Sequence, residues 1–457
     1  MERNKRTPMA EIAADVRKNN FDKFLLGYTK EEAVTEAKRC FNCVNARCRK
    51  ACPIHNEIPD VMEAVANEDF HLAYELLCEN TVLPAICGTV CPHEDQCEGS
   101  CINGINGEAV AIGSVERFVA EWAEKEGLTK CGKPSPNGKT AVCVGAGPAS
   151  MSCAEVLAKK GWQVTIIEKE EYFGGVLTWG IPSYRLGRET IEAKKALLES
   201  LGVKFEFGKK VSDLSKLRNE YDAVFLGTGA TISNTMGIPG EDLEGVFPAP
   251  KYLTSINLSP VEADGRRHFE GSGKNVLVVG GGNVAMDAAR DAVRLAQTEK
   301  VYIVYRRSEE EMPACKAELD DAKEEGVEFL TLRNPVEFVA DENGHVSKAV
   351  CAVMTLGEPD ASGRRRPVET EERITLDVDT VVLALGFSND PEIAKTNSGL
   401  DADKWGCFNV NEHFRTSYDN VYAGGDAQTG ASTVVKAMKA GIAAAANMEY
   451  RRILGEL

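Results

Sequence analysis

Eight cysteines stand in two short runs within the first quarter of the chain. The first run ends in Cys-Pro, and two, four and three residues separate its members, Cys40, Cys43, Cys48 and Cys52. This spacing is close to the two, two and three residues of the bacterial ferredoxin run, whose thiolates bind iron–sulfur clusters. The second run holds Cys87, Cys91, Cys97 and Cys101. The two runs therefore predict two iron–sulfur clusters.

The ferredoxin arrangement also indicates which cysteines share a cluster. A short loop wraps three corners of one cluster, and the bend at Cys-Pro directs the fourth thiolate to the other one. Cys52 is therefore assigned to the second cluster and, by the same reciprocity, Cys101 to the first. The first set is Cys40, Cys43, Cys48 and Cys101, and the second contains Cys52, Cys91 and Cys97. The fourth ligand of the second set stays open between Cys87 and Glu116.

Disulfides and structural zinc are the alternatives, because both occur at similar cysteine spacing. Disulfides need an oxidising compartment, but the charged start Met1–Arg6 contains no apolar signal segment. We therefore expect a cytoplasmic protein with redox clusters, and zinc stays possible on spacing alone. The other cysteines are scattered singly and are expected to be buried small residues: Cys78, Cys131, Cys143, Cys153, Cys315, Cys351 and Cys407.

Length and charge limit the classes of protein. The chain has 457 residues, which corresponds to about three domains. Its formal net charge is −17, which argues against nucleic acid as a partner, since nucleic acid is bound through Lys and Arg patches. No stretch approaches the ~18 uncharged apolar residues of a membrane span. We expect an enzyme that neither crosses a membrane nor binds nucleic acid.

The chain changes character near residue 132. Apolar residues recur at helical spacing in Lys30–Lys38, Ile58–Val65, Phe70–Glu79 and Val115–Lys125, and the first part is predicted to be nearly strandless. The segment Gly132–Gly138 is rich in Gly and Pro, which is typical of a domain boundary. After it, strand and helix patterns alternate, which predicts an α/β fold.

A dinucleotide-binding fingerprint follows this boundary. The buried strand Thr140–Val144 leads into Gly145-Ala146-Gly147-Pro148-Ala149-Ser150 and a helix. Gly145 allows a tight turn, Gly147 allows the main chain to approach a pyrophosphate, and the helix start offers free N–H groups. Ser150 replaces the usual third Gly or Ala. The strand Gln163–Ile167 ends at Glu168, where a carboxylate is expected to bind a ribose.

The same unit recurs later in the chain. The strand Asn275–Val279 leads into Gly280-Gly281-Gly282-Asn283-Val284-Ala285 and another helix. Its second strand, Val301–Tyr305, ends in Arg306 and Arg307, where the first unit has Glu168. A guanidinium pair matches a 2′-phosphate, whereas a carboxylate favours a free 2′-hydroxyl. The second site is therefore predicted to bind NADP(H), with a solvated basic loop as the alternative.

Two further strand–glycine segments, Tyr221–Ala230 and Thr380–Gly386, are expected where the chain passes between the two nucleotide domains. The second domain is thus predicted to be inserted in the first. The segment Asn420–Ala427 reads as a strand ending on Asp426, and a long helix from about Thr433 is expected to face a flavin. The predicted domains are 1–138, a helical iron–sulfur domain; 139–247 and 385–457, the two parts of the first nucleotide domain; and 248–384, the inserted one.

Over nearly its whole length the chain resembles the glutamate synthase small (β) subunit family. That family includes the large subunit of NADH-dependent ferredoxin:NADP oxidoreductase and the amino-terminal half of dihydropyrimidine dehydrogenase. The motifs that carry the resemblance are Ala51–His55, Pro84–Pro92, Gly174–Pro182, Tyr305–Arg307, Leu356–Asp360 and Ala423–Asp426. The resemblance implies FAD in the first site, NADPH or NADH in the second, and two [4Fe–4S] clusters. It also implies Glu116, rather than Cys87, as the fourth ligand of the second cluster.

With the resemblance, the motifs give a full set of expected cofactor residues. For FAD these are Gly145, Gly147, Pro148, Ala149, Glu168, Gly175, Leu177, Arg185, Gly229, Gly425, Asp426, Thr433 and Val434. For NADPH they are Gly280, Gly282, Asn283, Val284, Arg306, Arg307 and Gly386. No general acid or base is assigned, because hydride transfer to a flavin needs mainly placement.

The implied function is an NAD(P)H-oxidising electron-transfer subunit. Electrons would pass through FAD and the clusters to a partner, either a glutamate synthase large subunit or a flavin/[2Fe–2S] transhydrogenase small subunit, with ferredoxin as a further acceptor. The alternatives are the large subunit of a bifurcating transhydrogenase and a free-standing diaphorase-like reductase. Residues 1–130 are expected to be unnecessary for either nucleotide fold.

Overall fold

The computed structural model describes residues 4–129, 132–262, 264–359, 361 and 363–457. The chain forms a helical domain followed by two nested Rossmann-type domains. The fold class predicted from the sequence is therefore confirmed. Cys131 and Asp360, which belong to the scattered cysteines and to one of the motifs, lie outside the described residues, as does Met1–Arg3 at the chain start.

Residues 4–129 form helices and turns, with no strand among them. Helix starts carry clear signals, since Thr29 forms a capping box with Glu32 and Asp69 caps the helix after it. Apolar side chains at helical spacing pack the core of this domain. The α-helices are Ala14–Arg17, Lys30–Ala37, Arg47–Ala51, Ile58–Ala66, Phe70–Cys78, Pro84–Val90 and Ile112–Lys125, and His93–Asp95 and Ile102–Ile105 are 3₁₀ turns.

The first Rossmann-type domain has a five-stranded parallel sheet. Its strands lie in the order Val421–Ala423, Ala223–Leu226, Thr140–Val144, Gln163–Ile167 and Lys204–Glu206. The helices of this domain are Pro148–Lys159, Val176–Trp179, Arg188–Ser200, Ser215–Glu220, Glu392–Thr396, Asp426–Thr429 and Val434–Leu454. The first and last of these pack so closely that a Cβ on Gly441 would lie 2.1 Å from the Ala149 carbonyl oxygen.

The second Rossmann-type domain has its own five-stranded parallel sheet. Its strands lie in the order Val246–Pro248, Thr380–Leu383, Asn275–Val279, Lys300–Tyr305 and Glu328–Thr331. A three-stranded antiparallel sheet follows, with strands Arg333–Ala340, Val346–Pro359 and Arg365–Asp377. The helices of this domain are Ala249–Asn257, Asn283–Val293 and Lys316–Glu324, with a 3₁₀ turn at Glu309–Glu311.

The chain enters and leaves the second domain through one small antiparallel ladder. Ile232–Ser233 pairs with Phe387–Ser388, so the two crossings lie side by side. The nested arrangement therefore agrees with the prediction, but one boundary does not. The predicted division between residues 247 and 248 cuts the strand Val246–Pro248, which pairs with Thr380–Leu383 in the second sheet. That strand is only three residues long and too short to show a clear pattern.

The segment before the first cysteine run packs on the second Rossmann-type domain. Phe21 and Phe24 belong to the hydrophobic core of that domain, beside Tyr184 and Tyr252. The Arg17 side chain, 1% exposed, pairs with Glu325. We call residues 11–24 the amino-terminal arm. Because the arm is part of this core, the expectation that residues 1–130 are unnecessary for either nucleotide fold is wrong.

Two other sequence expectations can be compared directly. Within the described residues, no helix has the length and apolar character needed to cross a membrane. Among the scattered cysteines, Cys143, Cys153, Cys351 and Cys407 are buried as expected, whereas Cys78 and Cys315 are partly exposed.

Candidate functional site

Four cysteines of the first predicted set surround one cavity in the helical domain. Cys40, Cys43, Cys48 and Cys101 all line it. They come from the loop after Lys30–Ala37, the helix Arg47–Ala51 and the turn before Ile102–Ile105. Burial raises the pKa of the Cys48 thiol to about 11, so a bound cation is needed to hold the thiolate form. We call this space the distal cavity.

A second cavity in the same domain holds the other predicted ligands. It is lined by Cys52, Cys87, Cys91, Cys97 and Glu116, and we call it the proximal cavity. Burial raises the pKa of Glu116 to about 7, against a hydrogen bond from the Asn56 side chain that lowers it. The Cys87 and Cys91 thiols hydrogen-bond each other, which together with burial raises the pKa of Cys91. Both candidates for the fourth ligand therefore lie at this cavity.

The two cavities are neighbours that share one aliphatic side chain in their linings. Ile58, at the start of the helix Ile58–Ala66, lines both of them. Cys52, six residues before Ile58, lines the proximal cavity. The other three cysteines of its run line the distal cavity. The position of Cys52 is compatible with the expected crossing of ligands, which stays a prediction.

A large cavity lies at the carboxyl ends of the strands of the first sheet. The turn Gly145–Ala149 and the carboxylate of Glu168 line it. Gly145 has a φ of +95°, and a Cβ there would lie 2.6 Å from the Gly227 carbonyl oxygen, so only glycine fits. The Ser150 side chain is fully buried and also lies against Gly227. The hydroxyl that replaces the usual third glycine is therefore accommodated at the helix–strand contact.

Glu168 is oriented by main-chain hydrogen bonds. Its carboxylate accepts from the N–H of Ala146 over 2.7 Å and from that of Glu170 over 3.0 Å. Burial raises its pKa, while these two bonds oppose the rise. The carboxylate is thus fixed at the end of its strand, in the position from which a ribose is bound in dinucleotide folds.

The opposite wall of the large cavity comes from later parts of the chain. Trp179 and Phe387 line it and meet edge to face, with ring centroids 6.1 Å apart. Asp426 accepts a hydrogen bond from the Ser432 N–H over 3.2 Å, and burial raises its pKa to about 6. Gly147, Pro148, Gly175, Gly229, Thr433 and Val434 also line the cavity. Most of the residues expected around FAD are therefore brought together.

Three residues expected around FAD, Leu177, Gly425 and Arg185, do not line this cavity. Leu177 is fully buried in the core of the first domain, because the short helix Val176–Trp179 turns its neighbours toward the cavity instead. Gly425 packs against Ala149, where an added Cβ would lie 2.9 Å from the Ala149 Cβ. Its neighbours Gly424 and Asp426 form the wall.

Arg185, also expected around FAD, lies elsewhere. Its guanidinium pairs with Asp287 over 2.6 Å and with Glu318 over 2.8 Å, both in the second domain. The neighbouring carboxylates raise the pKa of this arginine although burial opposes them. Its place outside the cavity wall is explained by this pairing, which joins the two Rossmann-type domains.

The residues expected around NADPH divide into two groups. Val284 and Gly386 line the large cavity beside the flavin-site residues, at the contact between the two domains. Gly280, Gly282 and Asn283 form the turn before the helix Asn283–Val293. The segment after Met312 covers this turn, since the Cys315 N–H donates to the Asn283 side chain over 2.8 Å and the Ala314 N–H to Gly281 over 3.1 Å.

The two arginines of the second site differ in their surroundings. Arg306 is exposed to solvent. Arg307 is 7% exposed, and its Nε donates to the Arg365 carbonyl oxygen over 2.8 Å. Arg307 thus contacts the antiparallel sheet while Arg306 is exposed, and the expectation that both arginines bind a 2′-phosphate stays a prediction.

Sequence reasoning missed three residues that connect the cavities. Ile58 lies between the proximal and distal cavities, Val435 lines the proximal cavity from the first Rossmann-type domain, and Asn56 donates to Glu116 over 3.0 Å. Aliphatic residues at a helix start carry no chemical signature, so the first two had no signal. Asn56 lies four residues after Cys52, and this proximity was the available clue.

Comparisons with known proteins agree with this arrangement. The family described as dihydropyrimidine dehydrogenase domain II, 4Fe-4S cluster, matches residues 17–128. The family described as pyridine nucleotide-disulphide oxidoreductase matches residues 139–441. The glutamate synthase [NADPH] small chain of Halomonas elongata is 36% identical over 437 residues, which cover 93% of this chain and 92% of that one. The chain belongs to the glutamate synthase small-chain family.

Another relative and a solved structure extend the comparison. The NADPH-Fe(3+) oxidoreductase subunit beta of Geobacter sulfurreducens is 36% identical over 452 residues, covering 92% of this chain and 66% of that one. Mycobacterium tuberculosis FprA in complex with NADPH has a TM-score of 0.58 at 21% identity, covering 70% of this chain and 86% of that one. The FprA likeness concerns the fold alone.

Membership of this family confirms the main sequence predictions. The chain is a flavoprotein oxidoreductase and electron-transfer subunit, whose cofactors are FAD and [4Fe–4S] clusters. The donor sets fit these groups, because four thiols line the distal cavity, and four thiols, the Glu116 carboxylate and the His93 ring line the proximal cavity. Its relatives include proteins named as a small chain and as a subunit beta.

Proposed function

We propose that the chain takes a hydride from NADPH and delivers the electrons to a partner subunit through the proximal and then the distal cavity. Bound FAD supplies the two-electron acceptor that returns electrons singly, and each [4Fe–4S] cluster carries one electron at a time. The hydride brings two electrons and one proton, NADP⁺ leaves, and the proton goes to solvent. The residues of the chain place these groups and separate them from each other.

The observation that carries this proposal is the position of two consecutive residues. Val434 lines the large cavity and Val435 lines the proximal cavity, both in the first turn of the helix Val434–Leu454. The flavin site and the proximal cluster site are therefore divided by one turn of helix. Ile58 lines both the proximal and the distal cavity. The adjacency of the three sites supports a single relay, in which electrons pass from the flavin to the proximal cluster and then to the distal cluster.

The nucleotide site supports hydride transfer at the domain contact. Val284, which follows the glycine turn of the second domain, lines the flavin cavity together with Gly386. A nucleotide bound at the turn Gly280–Asn283 would extend toward this wall. Arg306 is exposed beside the same strand end, which supports recognition of a 2′-phosphate and hence NADPH over NADH.

We assign the fourth proximal ligand to Glu116. Its carboxylate is buried at this cavity and is held by Asn56, in agreement with the ligand that the family resemblance implies. The other proposed proximal ligands are Cys52, Cys91 and Cys97, and the distal ligands are Cys40, Cys43, Cys48 and Cys101.

The rim of the distal cavity is the proposed exit. Phe41, which lines that cavity, is 50% exposed, and the Val44 side chain on the same loop is completely exposed. Residues 37–56 contain no Asp or Glu and five Lys or Arg, of which all but the buried Arg39 are exposed, in a chain of net charge −17. This surface fits an acidic partner. Extended similarity to a glutamate synthase small chain supports a large subunit of that enzyme as the partner, with a transhydrogenase subunit or ferredoxin as the competing choices.

The order of the relay can be tested with two matched variants purified under nitrogen. Wild-type protein should contain about eight iron and eight sulfide per chain. After mixing with NADPH, Cys91→Ser should reduce its flavin but leave the distal cluster oxidised by electron paramagnetic resonance. Cys43→Ser should reduce both its flavin and its proximal cluster. Reduction of the distal cluster at the wild-type rate in Cys91→Ser would refute the order.

The same preparations test the fourth ligand. Glu116→Ala should alter only the signal of the proximal cluster, and Cys87→Ala should leave both cluster signals in place. The opposite result would make Cys87 the ligand. Zinc without sulfide in the wild-type protein would end the cluster assignment for both cavities.

A further inference from the structure

Asn56 contacts two of the proposed ligands of the proximal cluster through different groups. Its side-chain Nδ2 donates to Glu116 Oε1 over 3.0 Å. Its main-chain N–H, together with that of Ile54, donates to the Cys52 sulfur. Cys52 and Glu116 come from different elements, one from the cysteine run and one from the helix Ile112–Lys125. A single residue therefore connects two ligands that are far apart in the sequence.

The turn around Asn56 has a conformation that serves this contact. His55 has a φ of 54°, in the left-handed region that residues other than glycine avoid. Its N–H donates to the Cys52 carbonyl over 3.0 Å, which closes the loop. The strained residue lies between the two N–H groups that face the Cys52 sulfur. Strain at such a position is retained where the surrounding contacts require it.

Apart from its bond to Glu116, the side chain of Asn56 makes no hydrogen bond that the described residues show. Asparagine before a helix commonly caps it, but the helix Ile58–Ala66 has no side-chain cap. Asn56 is 2% exposed, and its Oδ1 has no hydrogen-bond partner in the part of the chain that is described. An amide that leaves one buried polar atom unpaired is costly. Its contact with Glu116 is therefore the reason for an amide here.

We propose that Asn56 is a positioning residue that holds Cys52 and Glu116 for the proximal cluster and raises its reduction potential. This inference rests on the proposed function, in which Glu116 is a ligand. The hydrogen bond occupies one carboxylate oxygen and leaves the other for iron. Donors to anionic ligands stabilise the reduced cluster, which carries one more negative charge, and so make reduction more favourable.

The test is a redox titration of the full chain, followed by electron paramagnetic resonance. Asn56→Ala should shift the midpoint potential of the proximal cluster downward, or lose that cluster, while the distal cluster is unchanged. Asn56→Asp, which has the same shape but places an acceptor against the Glu116 carboxylate, should have the larger effect. Unchanged potentials in Asn56→Ala at full iron content would overturn the proposal.

A matched control is available at the other cavity. Asn103 lines the distal cavity, and its side chain donates to the Arg39 carbonyl oxygen over 2.8 Å. Asn103→Ala removes a similar amide in the same domain and should leave the potential of the proximal cluster unchanged. A downward shift equal to that of Asn56→Ala would show a general loosening of the domain and overturn the positioning role.

Combining Asn56→Ala with Glu116→Cys tests whether Asn56 acts on the potential of the proximal cluster through Glu116. In Glu116→Cys, the fourth ligand is a thiolate and the bond from Asn56 has lost its carboxylate partner. Adding Asn56→Ala should then change the potential little, and an undiminished shift would refute action through Glu116. If Asn56→Ala alone loses both clusters, recovery of both in the Glu116→Cys background supports the proposal, and repeated loss overturns it. Intact signals of both clusters in Glu116→Ala would instead refute the ligand assignment itself.

Discussion

Arg17 and Glu325 are 308 residues apart in the sequence, yet the Arg17 Nε donates to Glu325 Oε1 over 3.0 Å inside the second Rossmann-type domain. Arg290 and Arg294 bind the same carboxylate. Burial raises the pKa of Glu325, but these hydrogen bonds prevail and lower it to about 2. The amino-terminal arm is thus attached to the second domain by a buried ionic contact.

Arg17→Ala should destabilise the second domain. The change leaves buried carboxylates without one of their partners, and such losses cost about 3 kcal/mol. Arg17 also pairs with Asp321 over 2.8 Å and lies over the Phe24 ring, so the arm should detach. The measurement is the melting temperature, compared with Lys18→Ala as the control. Equal melting temperatures for both variants would contradict a structural role for the arm.

The stability of the protein should also depend on pH through Asp291. Burial, followed by the charge of Asp287, raises the pKa of Asp291 to about 8. Between the unfolded value of about 3.9 and this value, the folded state keeps a proton that the unfolded state has lost. The free energy of unfolding therefore falls as pH rises through this range, by at most about 1.4 kcal/mol per pH unit.

Asp291→Asn should remove this dependence, because the amide stays neutral like the protonated acid. Its melting temperature should exceed that of the wild type increasingly from pH 5.5 to 8. Both carboxylate oxygens of Asp291 lack a hydrogen-bond partner among the described residues, so the substitution breaks none that the structure contains. Asp15→Asn, at an exposed position of the arm, serves as the control. Parallel pH profiles for Asp291→Asn and the wild type would contradict this account.

Specificity for NADPH should depend on Arg306 more than on Arg307. Arg306→Ala removes an exposed guanidinium that can bind a 2′-phosphate, and we expect the KM for NADPH to rise about tenfold or more with little change for NADH. Arg307→Ala breaks its bond to Arg365 and should mainly lower stability. Steady-state kinetics with both nucleotides separates the two. A larger selective loss in Arg307→Ala would reverse the assignment.

Electron delivery to the partner should depend on Val44. Val44→Glu places a negative charge on the exposed apolar loop beside the distal cavity and should slow reduction of a glutamate synthase large subunit. Reduction of the flavin by NADPH, followed by absorbance, should be unchanged. Ile453→Glu introduces the same charge on the carboxyl-terminal helix, at a position that is 65% exposed, and should have no effect on either rate. Equal delivery by both variants would place the exit elsewhere.

The sequence was most informative where covalent spacing limits geometry. A short loop wraps three corners of one cluster, so the cysteine spacing and the Cys-Pro bend predict that Cys52 belongs to the other set, and Cys52 does line the other cavity. Gly145 is recognisable because no other residue fits its turn. Arg17 shows the opposite case. It resembles an ordinary surface residue of a short helix, and its carboxylate partners appear only when distant segments fold together.

Local patterns also failed to distinguish solvent from interior. Arg306 and Arg307 are identical in type and adjacent, yet Arg306 is exposed, whereas Arg307 is buried and contacts Arg365 of a distant strand. Arg185 lies near a flavin motif but pairs with charges of the other domain. Contacts between distant segments determine the burial of Arg307 and the pairing of Arg185. Such contacts are not visible in the local sequence pattern.

The side-by-side ladder of Ile232–Ser233 and Phe387–Ser388 makes the second Rossmann-type domain a cassette, because its two ends meet at one point of the host fold. A domain of different coenzyme preference could be transplanted by joining the chain at these two strands. The graft would also need residues 11–24, since Phe21 and Phe24 complete the interior of that cassette from outside its boundaries. In evolutionary terms, the arm and the cassette must be inherited together, although the helical domain and half of a Rossmann-type fold lie between them in the gene.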